Sequence, residues 1–240
     1  MIYLYAIINR PGGVLPSLLG LENAPLAEVI YQEIAGVYHS FTLSKETTTP
    51  LASEENLWKH EAVLEALMPD HAVLPLRFGS TLSGDWMLQA LLHDRYTSYA
   101  ANLQRVQGCV ELSLHIIWPK EAFSSRAPIV RDIAQTDDHA PVMSGKEYLL
   151  SLRKARQQEY VLRQQIETQI GELLHNLEQL VVENTRVISL TPNPSLKAAF
   201  LLAQAEVPHF RQEVGYLSTA HPELHFALTG PWPPYNFVSN

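Results

Sequence analysis

Leu228-Thr229-Gly230-Pro231-Trp232-Pro233-Pro234-Tyr235-Asn236-Phe237 stands near the end of the sequence, and its reading sets the frame for the rest. Ahead of it, Leu224, Phe226 and Leu228 alternate with Glu223, His225 and Ala227, the period-2 pattern of a half-buried strand. Gly230 permits backbone angles closed to other residues. Pro231, Pro233 and Pro234 donate no backbone hydrogen bond and fix their own φ, so the ladder is expected to stop there. Trp232, Tyr235 and Phe237 then set three aromatic anchors on a stiff tether. Such a tail packs onto its own domain or onto a partner.

The same arrangement occurs once before. Val110, Leu112 and Leu114 alternate along a strand that runs through Ile116 and Ile117 into Trp118-Pro119. The offset that lays Trp118-Pro119 on Trp232-Pro233 also lays Val110, Leu112 and Leu114 on Leu224, Phe226 and Leu228. It places Val73-Leu74 on Val187-Ile188. Each copy reads as a strand, a loop, a helix of about twenty residues and a second strand, in keeping with a crossover unit. The expectation is a chain of two halves built alike.

Working outward, a strand is expected over about 2–8, then a turn at Pro11-Gly12-Gly13. Ala24 to Ile34 reads as a short amphipathic helix, about 36–43 as a strand, and Lys45 to Pro50 as loop. Ser53 suits the cap of a helix from Glu54 to Met68, with Glu54 and Glu55 favourably placed in its first turn. A strand at 71–78, a helix at about 85–106 and the strand to Trp118 complete the first half. The order β-α-β-α-β-α-β resembles a ferredoxin-like sandwich with one extra helix. Pro119 to Ser144 has little periodicity and reads as a linker or mobile loop.

Gly145 to Val182 contains no proline and no further glycine but Gly171, and Ile166, Ile170, Leu173, Leu177 and Leu180 recur at spacings of four and three. This predicts a long helix with a seam of coiled-coil type, and Arg153, Lys154, Arg156 and Arg163 lie along its first half. Such a helix packs lengthwise on its own domain or stands out as an arm for a partner. The fold class is therefore α+β in two subdomains: 1–118, a ferredoxin-like sandwich; 119–144, the linker; and 145–240, an α+β unit with the long helix.

Composition narrows the function. Among 240 residues, 46% are hydrophobic and 18% charged, as in an ordinary globular protein. A formal net charge of −8 argues against nucleic acid, whose phosphates call for clustered Lys and Arg. No apolar run is long enough to span a membrane. The N-terminus enters a strand with no cationic leader, and a lone cysteine, Cys109, suits a reducing cytoplasm.

Signals for catalysis are thin. There is no Gly-rich phosphate loop and no nucleophile elbow. His221 and His225 have the spacing of helical metal ligands, but Pro222 lies between them and the segment turns into a strand. Cys109 reads as a small buried side chain. No catalytic, cofactor or metal-ligating residue is assigned.

Two motifs remain. Ala72-Val73-Leu74-Pro75-Leu76-Arg77-Phe78-Gly79-Ser80 is a strand with a proline that favours an edge, an amphipathic cation near its end and a glycine exit. Arg77 is expected to form a salt bridge or cap a backbone end, or else to meet a partner. Together with Tyr3-Leu4-Tyr5-Ala6-Ile7, Ser144-Gly145-Lys146-Glu147-Tyr148-Leu149 and the terminal Leu228 to Phe237, this motif resembles the gas vesicle protein F/L (GvpF/GvpL) family across the whole chain and in the family's order. F and L types are not separated by these motifs.

The resemblance implies a ferredoxin-like N-terminal domain and a C-terminal α+β domain with long helices. It further implies a non-enzymatic accessory protein of gas vesicle assembly, cytoplasmic and associated with gas vesicles. Such a protein binds the hydrophobic shell protein GvpA, preventing its aggregation or helping nucleate the shell, and other gas vesicle accessory proteins are further candidate partners. The alternative is a minor structural component of the shell. The motif residues expected to serve packing or partner binding are Pro75, Arg77, Phe78, Gly79, Gly230, Trp232, Pro233, Pro234, Tyr235 and Phe237.

Overall fold

The computed structural model describes residues 1–10, 15, 18–42, 53–119, 145–189 and 194–238. The turn expected at Pro11-Gly12-Gly13, the loop Lys45 to Pro50 and the linker beyond Pro119 lie outside these residues. β1 (Ile2–Asn9) is apolar on both faces and buried along nearly all its length, as a central strand covered on both sides must be. It lies between β3 (Ile34–Ser40) and β4 (Val73–Pro75), with β2 (Ala27–Tyr31) outside β3. A short β5 (Thr81–Leu82) pairs with the start of β1, and every pairing in this sheet is antiparallel.

Helices cover both faces. α1 (Glu54–Leu67) starts at Ser53, whose Oγ accepts the Asn56 N–H at 3.1 Å. It lays Val63, Leu64 and Leu67 on the face that carries Tyr3, Tyr5 and Val73. On the other face, α2 (Asp85–Asp94) and α3 (Tyr96–Val106) bring Leu88, Leu92, Tyr99 and Leu103 against Ile2, Leu4, Ile7 and Leu74. The helix expected over about 85–106 is thus two helices, divided at Arg95 (φ −109°, ψ 12°).

The helix expected at Ala24 to Ile34 is a hairpin instead. β2 returns into β3 through Gln32 and Glu33, with Tyr31 opposite Ile34 and Gln32 in the left-handed region at φ 51°. Hairpin turns of this length usually announce themselves with Gly or Asn. This one has neither. The short apolar run around it fits either period, and tertiary packing under α2 decides for strand.

The second sheet holds the larger surprise. β6 (Cys109–Ile117), expected to close the N-terminal unit 1–118, sits at the centre of a sheet ordered β7-β8-β6-β9. Its companions are β7 (Glu183–Ser189), β8 (Ser195–Ala203) and β9 (His225–Trp232), all antiparallel. The two Trp-Pro strands are therefore neighbours, with Leu114 opposite Leu228, rather than matching ends of two repeated units. The first of the two expected copies is split between the sheets, and the second contains β8 where helix alone was expected.

One face of this sheet is covered by α4 (Gly145–Glu178) and α5 (Val207–Ala220). Ile166, Ile170, Leu174, Leu177, Phe210 and Val214 meet Leu112, Leu114, Phe200 and Leu202, while Leu173 and Leu180 pack at the margin. The seam occupies only the second half of α4. On the other face, Ala199 and Leu201 join the cluster around α2 and α3, and Arg105 pairs with Glu183 at 3.0 Å. α3 is shared by both sheets. The result is an α+β fold with two separate antiparallel sheets.

Candidate functional site

β1 threads two tyrosines through an otherwise apolar strand, and their hydroxyls organise the α1 side of the first sheet. Tyr3 donates its O–H to His60 Nδ1 at 2.9 Å, and the His60 Nε2–H is directed at the Leu76 carbonyl, 3.1 Å away. The Gly79 N–H donates to the same Tyr3 oxygen at 3.1 Å. Tyr5 accepts the Leu21 N–H at 2.8 Å and donates to His39 Nδ1 at 2.9 Å. Rings of Tyr3, Tyr5, His39, His60 and Phe78 pack edge-on or stacked at 5.0–6.2 Å. His60 and His39 are essentially inaccessible to solvent.

Burial fixes the charge state of this cluster. It pulls His60 down to about 4, against its hydrogen bond to Leu76, and pushes Tyr3 up to about 12. Burial likewise lowers His39 and raises Tyr5. The imidazoles are neutral hydrogen-bonding core groups, with both functional ring atoms of His60 already engaged.

Two expected outcomes follow. Tyr5→Phe leaves the Leu21 N–H and His39 Nδ1 without their partner, and should cost about 1–3 kcal/mol in urea unfolding. For His60 the native state refuses the proton that the unfolded chain accepts at its ordinary value of 6.5. The corresponding stability is full above that value and is lost as pH falls towards about 4, amounting to about 3 kcal/mol. Urea midpoints against pH, compared with His60→Gln, isolate this component. The difference between the two proteins should vary across that window and level off above it.

Both sequence motifs end on this face. Pro75 is buried at the end of β4, opposite Ala6. Phe78 is half-buried, edge-on to Tyr3 and His60. Gly79 turns the chain at φ +89°, with open space where a Cβ would stand. Arg77 is exposed, and its guanidinium forms no ion pair or hydrogen bond among the described residues. Its carbonyl makes the turn by accepting from Ser80 N and Oγ.

The tail arrives from β9. Gly230 takes φ +105°, and Arg211 donates to its carbonyl at 2.5 Å. Trp232 is half-buried opposite Glu111, with its Nε1–H donating to Thr229 Oγ1 at 3.2 Å. Pro233 and Pro234 are buried and lead into a single 3₁₀ turn, Tyr235–Phe237. Tyr235 O–H donates to Glu61 Oε1 on α1 at 2.8 Å. Asn236 gives both its backbone N–H, at 2.9 Å, and its side-chain N–H, at 2.6 Å, to the Glu111 carboxylate. Phe237 enters the core shared by the first sheet and α3, and Arg105 donates to its carbonyl.

Glu111 is only 3% exposed. Burial raises its carboxyl, and the two Asn236 bonds work against that rise. Glu61 is raised by burial too, opposed by Tyr235, whose own hydroxyl is raised by burial and by that carboxylate. The tail thus ties α1, α3 and β6 together in ten residues.

Sequence reasoning missed Glu61, Glu111, Asn236, Arg105 and the Tyr–His pairs. Their signal was polar residues at positions whose period marks them as core: Tyr3 and Tyr5 in β1, and His60 one turn before Val63 and Leu64. His221 caps the end of α5, beside Glu223 at 3.3 Å, and His225 opens β9. Cys109 is half-buried and its thiol is raised by burial, which leaves it a poor nucleophile. No group of three metal-ligating side chains occurs among the described residues.

Comparison with known proteins places this architecture. The profile of the family described as "Gas vesicle synthesis protein GvpL/GvpF" matches residues 1–239. The chain belongs to the GvpL/GvpF family. It is 24% identical to gas vesicle protein L of Streptomyces sp. (strain CB03234), over 98% of this chain and 92% of that protein. It is 27% identical to gas vesicle protein F of the same strain, over 98% of each. The crystal structure of GvpF from Microcystis aeruginosa has the same fold, with a TM-score of 0.78 at 22% identity, covering 100% of this chain and 99% of that one. Membership gives the protein a role in gas vesicle formation. No helix among the described residues is long and apolar enough to cross a membrane.

Proposed function

We propose that the protein is an accessory factor that binds the hydrophobic shell protein GvpA, keeping it from aggregating or helping it nucleate the shell. It acts by binding and not by catalysis, without a cofactor, in the cytoplasm in association with gas vesicles. A shell that keeps liquid water out of a gas space needs subunits with an apolar face and self-associating strand edges, which are hazardous when free. An acidic partner can pair such an edge while its own charge keeps the complex dispersed.

The observation that carries this reading is the outer strand β7. It terminates the second sheet, its residues are almost all exposed, and Val187 is 67% exposed with Val182 beside its start. A strand with apolar residues in solvent at a sheet edge is a template for another chain. Among the other outer strands, β4 is short and buried, the Gly230 carbonyl of β9 already accepts from Arg211, and β2 is half-buried except at Ile30, with Val29 and Tyr31 packed on the core beneath α2.

The test is coexpression with GvpA and capture through a tag on this chain. GvpA should be retained in the soluble fraction and recovered with the wild type. The edge-blocking variant Val182→Lys/Val187→Lys should lose it while keeping its melting temperature. Equal recovery with both would remove β7 from the account. Retention of the protein in vesicles after stringent washing would favour a minor shell component instead.

A further inference from the structure

Among the described residues, the first half of α4 carries an exposed stripe of mixed apolar and cationic side chains. Among the described side chains of α4 the first fully buried one is Ile166; before it Ser151 and Leu152 are half-buried, and Leu149, Leu150, Tyr160 and Val161 are exposed. Arg153, Lys154, Arg156 and Arg163 are exposed there as well, and among the described residues none of them forms an ion pair or hydrogen bond. Leu149, Arg153, Arg156, Tyr160 and Arg163 follow one another at spacings of four and three, so they line a single stripe of the helix. Four cations on one arm are notable in a chain with a formal net charge of −8.

The complementary stripe lies on α1. Its outward side carries Glu54, Trp58, Ala62 and Glu65, again one helical face, with Trp58 61% exposed and Glu55 and Leu57 beside it. From Glu54 to Glu65 is about 16 Å along the axis, and from Arg153 to Arg163 about 15 Å. Laid together, cations of one stripe meet carboxylates of the other, and a guanidinium can cover the Trp58 ring. No ion pair joins the two within the molecule among the described residues.

We propose that the arm formed by the first half of α4 docks on the α1 face of a second copy of this chain. The contact is heterologous, so each copy uses its arm on one neighbour and offers α1 to another, and the assembly grows in one direction unless it closes into a ring. Because the attraction is carried by exposed charges, it weakens with ionic strength.

Sedimentation velocity on the full chain tests this without the shell protein. The wild type should sediment faster as concentration rises at low salt, and return towards monomer at about 0.5 M salt. Arg153→Glu/Arg156→Glu and, separately, Glu54→Lys/Glu65→Lys should each weaken association by at least about tenfold. Mixed in equal amounts, the two variants now present opposite charges and should associate, while neither does alone. Circular dichroism checks that both are folded. A wild type that stays monomeric at every concentration, assembly untouched by either variant, or a mixture that fails to restore it, each overturns the proposal. An arm variant that self-associates normally but no longer captures GvpA assigns the face to the shell protein and overturns it too.

Discussion

A chain ended after Pro234 should melt far below the full-length protein, and Phe237→Ala alone should lose about 3–5 kcal/mol. Phe237 is 4% exposed, in a core that also holds Leu4, Leu103 and Leu201. Truncation adds a second penalty, because Glu111 would lose both Asn236 bonds. A carboxylate in a core left with Ser113 as its remaining side-chain partner is a costly defect. For a chain of this size the combined effect should lower the melting temperature on the order of 10 °C. A truncated protein that melts with the wild type would mean that these contacts hold nothing together.

Gly230→Val should be nearly as damaging. At φ +105° a side chain is strained in itself, and a Cβ there would lie 2.7 Å from the Glu111 carbonyl oxygen, a backbone atom that cannot step aside. The expected loss is at least about 3 kcal/mol. Gly79→Ala is the control: its φ is +89° but nothing lies within 4 Å, so it bears strain alone, about 1–2 kcal/mol. Urea unfolding of the two variants separates the close approach from the backbone angle. Equal losses would show that the proximity of Glu111 does not matter.

The parts of this fold that were legible in the sequence are those written locally. The Ser53 cap, the seam of α4 from Ile166 onward and the end of the ladder within the proline run each arise from neighbours within a turn or two, although β9 passes Pro231 and ends only at Trp232, before Pro233. Pairing partners are not written that way. Nothing in Val110, Leu112 and Leu114 says whether that strand joins Leu74 in one sheet or Phe200 in the other, and it joins Phe200. β8 was hidden for a different reason. Ala198 to Ala203 is one continuous apolar run, and such a run fits a buried strand as well as a buried helix.

The tail shows both limits at once. Its prolines and aromatics announced an anchored terminus. Its polar partners, Glu61 and Glu111, lie 174 and 125 residues away and carried no mark beyond a charge in an apolar setting. The same gap separates the two motifs from function. Both are largely spent on packing around Tyr3 and the tail, whereas the surfaces open to a partner, β7 and the first half of α4, are chemically ordinary stretches.

The account turns on whether this protein restrains GvpA, and light scattering reads that directly. GvpA diluted from denaturant should scatter after a lag, and adding the purified protein should lengthen the lag in proportion to its concentration, with Val182→Lys/Val187→Lys having little effect. Scattering that rises on the same course with and without an excess of the folded protein would contradict it.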